Sequence, residues 1–156
     1  KEGYLFPDTY HFSPNIKPAA IISALEKNFN NKIATLSGEI ADFGKPLKEI
    51  IIMASLLEEE ARLLETKQIV SGILWKRLAE GMPLQVDATF QYINGKNSFK
   101  LTLEDLKADS PYNTYTRKGL PPTPITNPGL NSILAAVTPT KTKYYFFLTG
   151  NDGTMR

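Results

Sequence analysis

The sequence predicts an α+β fold: a helical core, a long ordered proline-rich loop and a small antiparallel sheet. Helices are indicated by apolar residues that recur every three or four positions between residues 18 and 80. The loop is indicated by residues 110–129, which hold five of the eleven prolines among polar residues. The sheet is indicated by YYFFLT at 144–149, predicted as a buried strand with a turn at 150–153. A length of 156 residues fits one domain, 1–156.

The helical part divides at its proline and glycine residues. The spacing predicts a first helix from Pro18, with a weak continuation through residues 33–36. A second helix is expected from Pro46 to about Leu64, and a third over 69–78 that ends before Gly81. These two helices are expected to form an antiparallel pair.

The remaining elements are shorter. Residues 3–12 are predicted to form two extended pieces around a turn, and residues 84–93 to be extended or mixed. A short helix is expected from Thr102, with Asp105 three residues later in a capping arrangement. Asn127 as the cap and Pro128 as the first residue predict a last helix through Val137.

Composition excludes several classes of protein. A formal net charge of +2 with dispersed basic residues does not resemble the dense basic stripe that binds nucleic-acid phosphates. The absence of cysteine excludes thiol catalysis and thiolate metal sites. The longest apolar run, residues 50–54, is far shorter than the roughly 18 residues that cross a bilayer. Because the segment begins at Lys1 and ends inside a predicted hairpin, we expect a piece of a longer protein, with anchors or extra domains outside this segment.

Three consecutive glutamates end the apolar run of the second predicted helix. At 100° per residue, Glu59 falls opposite the apolar arc, whereas Glu58 and Glu60 fall at its two margins. Glu60 has the more apolar surroundings, so loss of hydration is expected to raise its pKa toward the range of a general acid. The other interpretation is a solvated glutamate paired with Arg62 or Lys67.

Few other side chains offer catalytic chemistry. His11 is the single histidine and is interpreted as structural, so a serine–histidine–aspartate triad is not favoured. Tyr112 and Tyr115 in the proline-rich loop fit either a core or a sugar-stacking surface, and Tyr144 and Tyr145 fit the core.

Five stretches occur together in one order: EGYLFPDTY, MASLLEEEA, ILWKRLAEGMPLQVDAT, SPYNTYTRKGLPPTPITNPGLNSILAA and PTKTKYYFFLTGNDG. In these stretches the chain resembles the YceG-like family of bacterial endolytic murein transglycosylases. Two positions depart from the family pattern: Glu59, where a lysine is usual, and Ala88, where a proline is usual.

The resemblance implies an enzyme of the bacterial cell envelope that is anchored in the cell membrane, with its catalytic domain outside the cytoplasm. It implies that Glu60 is the catalytic acid and base and that Glu58 supports it. The predicted substrate-binding residues are those of the family's most characteristic motifs, Gln85, Asp87, Tyr112, Asn113 and Thr114. The implied partners are peptidoglycan glycan strands and cell-wall synthesis proteins. No metal and no cofactor are predicted.

One carboxylate is enough for this chemistry. A hydrolytic glycosidase needs a second carboxyl group, whereas a lytic transglycosylase uses the C6 hydroxyl of N-acetylmuramic acid as an intramolecular nucleophile. Two alternatives stay open at this point: a non-catalytic peptidoglycan-binding module, and a hydrolytic glycosidase that uses Glu60 with Asp87.

Overall fold

The computed structural model describes residues 1–96 and 100–148. Within these ranges the fold is mostly helical and no β-strand is present. The six α-helices are α1 (Pro18–Thr35), α2 (Ser37–Phe43), α3 (Leu47–Glu60), α4 (Leu64–Ala79), α5 (Ala88–Asn94) and α6 (Leu130–Val137). No helix in these ranges is both long enough and apolar enough to span a bilayer.

Helix α3 lies at the centre of the core. Every residue from Ile50 to Leu57 is buried, because α4, α5 and α6 all pack against this helix and α6 also packs against α4. The one-sided apolar arc that the sequence analysis assumed is therefore too narrow, since a helix that is apolar all round is a buried helix. Helix α3 thus provides a rigid base for the glutamates at its end.

The predicted helix boundaries hold at the start of α1 but change at the end of α3. Helix α1 begins at Pro18 as predicted, and its weak continuation is a separate helix, α2. Helix α3 ends at Glu60 instead of near Leu64, because Ala61 takes an extended conformation with φ −149° and ψ 154°. Residue 64 instead begins α4. Glu60 is therefore the last helical residue, which the periodicity did not indicate.

The predicted antiparallel sheet is wrong for the residues that the structure describes. Tyr144, Phe146 and Leu148 are 60%, 69% and 71% exposed, so this segment is not a buried strand. Side chains of α4 bind its backbone instead: Lys76 donates to the carbonyl of residue 143, and Arg77 donates to that of residue 145. The predicted turn at 150–153 lies outside the described residues. In a sheet, the backbone groups of a strand bond to a neighbouring strand. Here two of the backbone carbonyl groups instead accept hydrogen bonds from charged side chains.

The predicted cap of the last helix is also wrong. Helix α6 begins at Leu130 with Gly129 before it, three residues later than Asn127. The Asn127 side-chain oxygen instead accepts hydrogen bonds from the backbone N–H groups of Gly3, at 2.7 Å, and Leu5, at 3.2 Å. The asparagine therefore holds the N-terminal segment against the end of the proline-rich loop, a contact between residues more than a hundred positions apart.

Two local predictions are confirmed. The backbone N–H of Thr102 donates to the Asp105 carboxylate at 2.9 Å, and the N–H of Asp105 donates to the Thr102 hydroxyl at 3.3 Å. This reciprocal pair begins a single 3₁₀ turn, Asp105–Lys107. Residues 110–129 contain no regular secondary structure, as the proline content predicts.

Candidate active site

The end of α3 meets the start of α5, and this junction places Glu60. Glu60 is the last residue of α3, and Ala88 is the first residue of α5. The Ala88 backbone N–H interacts with the Glu60 carboxyl group. Asp87 precedes it as the N-cap residue. Two segments that are far apart in sequence thus bring the carboxyl groups of Glu60 and Asp87 close together.

The surroundings of Glu60 favour its protonated form. Burial raises the pKa of Glu60 from 4.5 to about 7, and the negative charges of Asp87 and Glu59 add to this rise. The Ala88 N–H acts in the opposite direction. The C-terminal end of α3 also carries a partial negative charge, which disfavours a second negative charge there. A carboxyl group of this kind is a proton donor at neutral pH.

Asp87 is held by Tyr115, for which the sequence allowed either a core or a sugar-stacking position. The Tyr115 hydroxyl donates a short hydrogen bond to the Asp87 carboxylate, and the Tyr115 ring packs against Phe90 of α5. Burial and the carboxylates of Asp87 and Glu60 raise the pKa of Tyr115, so the hydroxyl stays a donor. The sequence signal was the position of Tyr115 in the same loop motif as Tyr112.

Gln85 stands two residues before Asp87 in a strained backbone conformation. Its φ of 53° lies in the left-handed region, which costs a non-glycine residue on the order of 1–3 kcal/mol. The guanidinium of Arg77 holds this conformation, since it donates to the Gln85 side-chain oxygen and to the carbonyl of Pro83. Arg77 is buried, and burial lowers its pKa. Sequence reasoning missed Arg77, because helix periodicity does not show which basic residue is buried.

Asn113 and Thr114 are buried inside the proline-rich loop. The Asn113 amide donates to the carbonyl groups of Leu106 and Ala108, at 3.0 and 2.8 Å. The Thr114 hydroxyl accepts from the Val86 N–H at 2.9 Å, and the Thr114 carbonyl accepts from the Gln85 N–H at 3.0 Å. Thr114 therefore positions the segment that carries Asp87, whereas Asn113 joins the proline-rich loop to residues 106–108, and neither side chain faces solvent.

Tyr112 is half-buried at the edge of the same loop. Its hydroxyl shares a hydrogen bond of 2.7 Å with the Thr123 hydroxyl, and its ring contacts Tyr92 of α5 at a centroid distance of 4.8 Å. Unlike its neighbours Asn113 and Thr114, Tyr112 keeps part of its ring accessible.

Glu58 lies two residues before Glu60 and has charged and polar partners. It accepts hydrogen bonds from the Lys67 ammonium and the Gly129 backbone N–H, both at 3.1 Å, and from the Ser132 hydroxyl. Burial acts to raise the pKa of Glu58, but these partners together lower it below 4.5. Glu58 therefore joins α3 to α4, to the end of the proline-rich loop and to α6. Glu59, between the two, is exposed, as its helical position opposite the apolar arc predicts.

The structure therefore separates the predicted site residues into two groups. Glu60 and Asp87 lie together, with Gln85 beside them in sequence and Tyr112 at the loop edge, whereas Glu58, Asn113 and Thr114 make their contacts within the protein. Among the residues described, no group of three or more histidine, aspartate or glutamate side chains is arranged to hold a metal ion. The candidate site therefore combines the Glu60 carboxyl group, whose pKa is raised to about 7, with the neighbouring Asp87.

Comparison with known proteins identifies the family. The model of the YceG-like family matches residues 1–156. An endolytic murein transglycosylase of Bacillus subtilis (strain 168) is 40% identical over 153 residues, which cover 97% of this chain and 42% of that protein. One of Streptococcus pneumoniae (serotype 2, strain D39) is 31% identical over 156 residues, which cover 94% of this chain and 28% of that protein.

A solved structure agrees with the sequence matches. A YceG-like protein of Listeria monocytogenes superimposes with a TM-score of 0.90 at 36% identity, covering 99% of this chain and 51% of that one. The chain spans less than half the length of the two enzymes and about half of the solved structure. With a family match over its whole length, the chain belongs to the YceG-like family.

Proposed function

We propose that this chain is the catalytic domain of an endolytic lytic transglycosylase that acts on peptidoglycan. The observation that carries the proposal is Glu60, a carboxyl group with a pKa of about 7 where α3 ends against α5. Its neighbour Asp87 is a carboxylate held by Tyr115. The names of the bacterial relatives supply the substrate, murein, and the reaction type.

The proposed bond is the β-1,4 link between N-acetylmuramic acid and N-acetylglucosamine. Glu60 donates its proton to the oxygen that leaves with N-acetylglucosamine while the bond from that oxygen to C1 of N-acetylmuramic acid breaks. The C6 hydroxyl oxygen of the same muramic acid then bonds to C1, and its proton passes to Glu60. The products are a 1,6-anhydro muramic end and a free N-acetylglucosamine hydroxyl, and Glu60 is again protonated.

The intramolecular nucleophile explains why one acid is sufficient. Attack by a hydroxyl group already attached to the substrate has a very large effective molarity, so no water molecule has to be positioned. Asp87 is then free for another task. We assign it to the electrostatics of the site, since its charge favours the protonated form of Glu60 and stabilises positive charge that develops at C1.

The other predicted residues are given roles by their accessibility. Tyr112 is assigned to sugar contact, and Gln85 and Asp87 to substrate contact beside Glu60. Thr114 is assigned to holding the segment of Gln85 and Asp87, because it binds the Val86 backbone, and Asn113 to holding the loop, because it binds the backbone at Leu106 and Ala108. Glu58 is assigned to fixing the end of α3.

The proposed location of this domain follows from its proposed substrate. Glycan strands of murein lie outside the cytoplasm, so we place this domain on the outer side of the cell membrane, attached by an anchor beyond this segment. Proteins that synthesise the strands are the proposed partners, since an endolytic enzyme acts on their product. Proteolysis of intact cells against spheroplasts, followed by immunoblotting, tests the location: protection from external protease in spheroplasts would contradict it.

The chemical form of the muramic ends that cleavage produces tests the proposed function. Purified peptidoglycan strands digested in heavy-oxygen water are expected to give 1,6-anhydro muramic ends, which are one water lighter than hydrolysed ends and carry no label. Mass spectrometry separates the two. Reducing, oxygen-labelled ends would contradict the proposal and favour a hydrolase that uses Glu60 with Asp87. The absence of cleavage despite strand binding would favour a binding module.

A further inference from the structure

Helix α5 carries an exposed aromatic side chain that the proposed reaction does not use. Tyr92 is 40% exposed, although a tyrosine ring is a large and mainly apolar group. Its ring meets the Tyr112 ring of the proline-rich loop at a centroid distance of 4.8 Å and an angle of 44° between planes. The two tyrosines together form a partly exposed aromatic surface between two segments that are distant in sequence.

The position of Tyr92 relative to Glu60 follows from helix geometry. Ala88, whose N–H faces the Glu60 carboxyl group, begins α5, and Tyr92 follows four residues later in the same helix. Four residues advance about 6 Å along the axis of a helix. The aromatic surface therefore lies about one turn of α5 beyond Ala88, the residue whose N–H meets the Glu60 carboxyl group.

Both rings are fixed at their hydroxyl groups. The Tyr92 hydroxyl donates to the Glu2 carboxylate at 2.9 Å, and the Tyr112 hydroxyl pairs with the Thr123 hydroxyl at 2.7 Å. A ring held in this way loses little conformational entropy when a ligand packs on its face. The hydroxyl groups of both rings thus have hydrogen-bond partners within the protein.

We propose that Tyr92, together with Tyr112, forms a platform on which a sugar ring of the glycan strand packs, next to the sugars whose bond is cleaved at Glu60. This inference rests on the proposed function and extends it by one binding position. A pyranose ring presents an apolar face of C–H groups, and an exposed aromatic ring next to polar groups is a suitable partner for it. The platform would favour cleavage within a strand, because a sugar beyond the scissile bond contributes to binding.

Binding measured without cleavage tests the platform. The Glu60→Gln variant serves as the background. Its affinity for glycan oligosaccharides without peptide stems, of increasing length, is measured by isothermal titration calorimetry. Tyr92→Ala is expected to weaken binding of the long oligosaccharides about 3- to 10-fold. Tyr92→Phe is expected to lose less affinity than Tyr92→Ala, since it keeps the ring and loses only the hydrogen bond to Glu2 that holds it. Tyr144→Ala, an exposed tyrosine on another segment, is the matched control and is expected to have no effect.

The outcomes separate this inference from the function on which it rests. Unchanged affinity in Tyr92→Ala, or an equal loss in Tyr92→Phe and Tyr92→Ala, would overturn the platform. Tyr92-dependent binding would support it even if the wild-type chain released no anhydro ends, a result that would contradict only the proposed reaction. Thermal unfolding of each variant shows that the fold is retained, and any Tyr92→Ala effect confined to long oligosaccharides excludes a general loss of structure.

Discussion

Glu58 and Glu60 stand two residues apart at the end of one helix, yet their surroundings shift their pKa values in opposite directions. Glu58 faces Lys67, Ser132 and a backbone N–H, and its pKa is lowered. Glu60 faces a buried region with Asp87 nearby, and its pKa rises to about 7. The comparison shows that the partners brought by the fold, and not the residue type, decide in which direction the pKa of a glutamate shifts.

The largest expected effect is the fall in glycan cleavage when the Glu60 acid is removed. Glu60→Gln keeps the shape of the side chain but removes the donated proton, so glycan cleavage is expected to fall by roughly 10³-fold or more. Release of anhydro muramic ends from purified strands measures this loss. Activity equal to that of the wild type would remove Glu60 from the mechanism.

Glu58→Gln is expected to change stability more than chemistry. Lys67 would then lie buried without a counter-charge, at a cost of about 2–3 kcal/mol in the free energy of unfolding once the partial exposure of Glu58 is allowed for. Urea unfolding measures the cost. Glu49→Gln is the matched control on the same helix, because Glu49 pairs with Lys45 at the exposed surface and should cost at most about 0.5 kcal/mol. Equal losses in the two variants would contradict this account of Glu58.

The pH dependence of stability separates the two glutamates further. The folded pKa of Glu60 is raised from 4.5 to about 7, so the folded state binds more protons and stability is lost as pH rises through this window. Glu60→Gln should therefore gain stability relative to the wild type between about pH 4.5 and 7, by on the order of 3 kcal/mol. For Glu58, whose pKa is lowered, the contribution is present at neutral pH and is lost as pH falls through its folded pKa.

Unfolding midpoints at pH 4, 5.5 and 7.5 measure these differences. Cleavage is expected to decline above about pH 7, where Glu60 loses its proton. A constant difference between the wild type and Glu60→Gln across this range would show that Glu60 is not titrating there.

Tyr115→Phe is expected to have a smaller effect, through Asp87. Without the hydroxyl donor, more of the Asp87 charge faces Glu60, so the decline of activity at alkaline pH should move upward by a fraction of a pH unit. Activity at neutral pH is expected to fall about tenfold, since the carboxylate is no longer fixed. A lowered melting temperature with an unchanged pH profile would assign Tyr115 a purely structural role.

Glu59→Gln is the smallest change and completes the comparison. Its side chain is exposed and contributes little to the site, so activity and stability should stay within about 0.5 kcal/mol of the wild type. A large loss of activity would mean that the surface on this side of α3 contacts the strand.

The sequence by itself determined most of the helical part of the fold and the candidate among the three glutamates, Glu60, whose catalytic role stays a prediction. Local periodicity and proline placement located α1, α3 and α4, because these signals act within a few turns of the chain. The helical spacing placed Glu59 opposite the apolar arc, and the structure confirms that Glu59 is exposed, although the arc itself is wider than predicted because α3 is buried on all sides. The resemblance identified the family, which the whole-length match confirms.

Tertiary structure alone decided the partners of those residues. Asn127 reads as a helix cap but binds Gly3 and Leu5, and the aromatic run at 144–148 reads as a strand but is held by α4. In the same way, Asp87 and Ala88 come beside Glu60, and Lys67 beside Glu58, only when separate segments pack together. A pKa depends on charges and burial supplied through space, so the sequence selects the candidate carboxylates and the folded chain assigns their protonation.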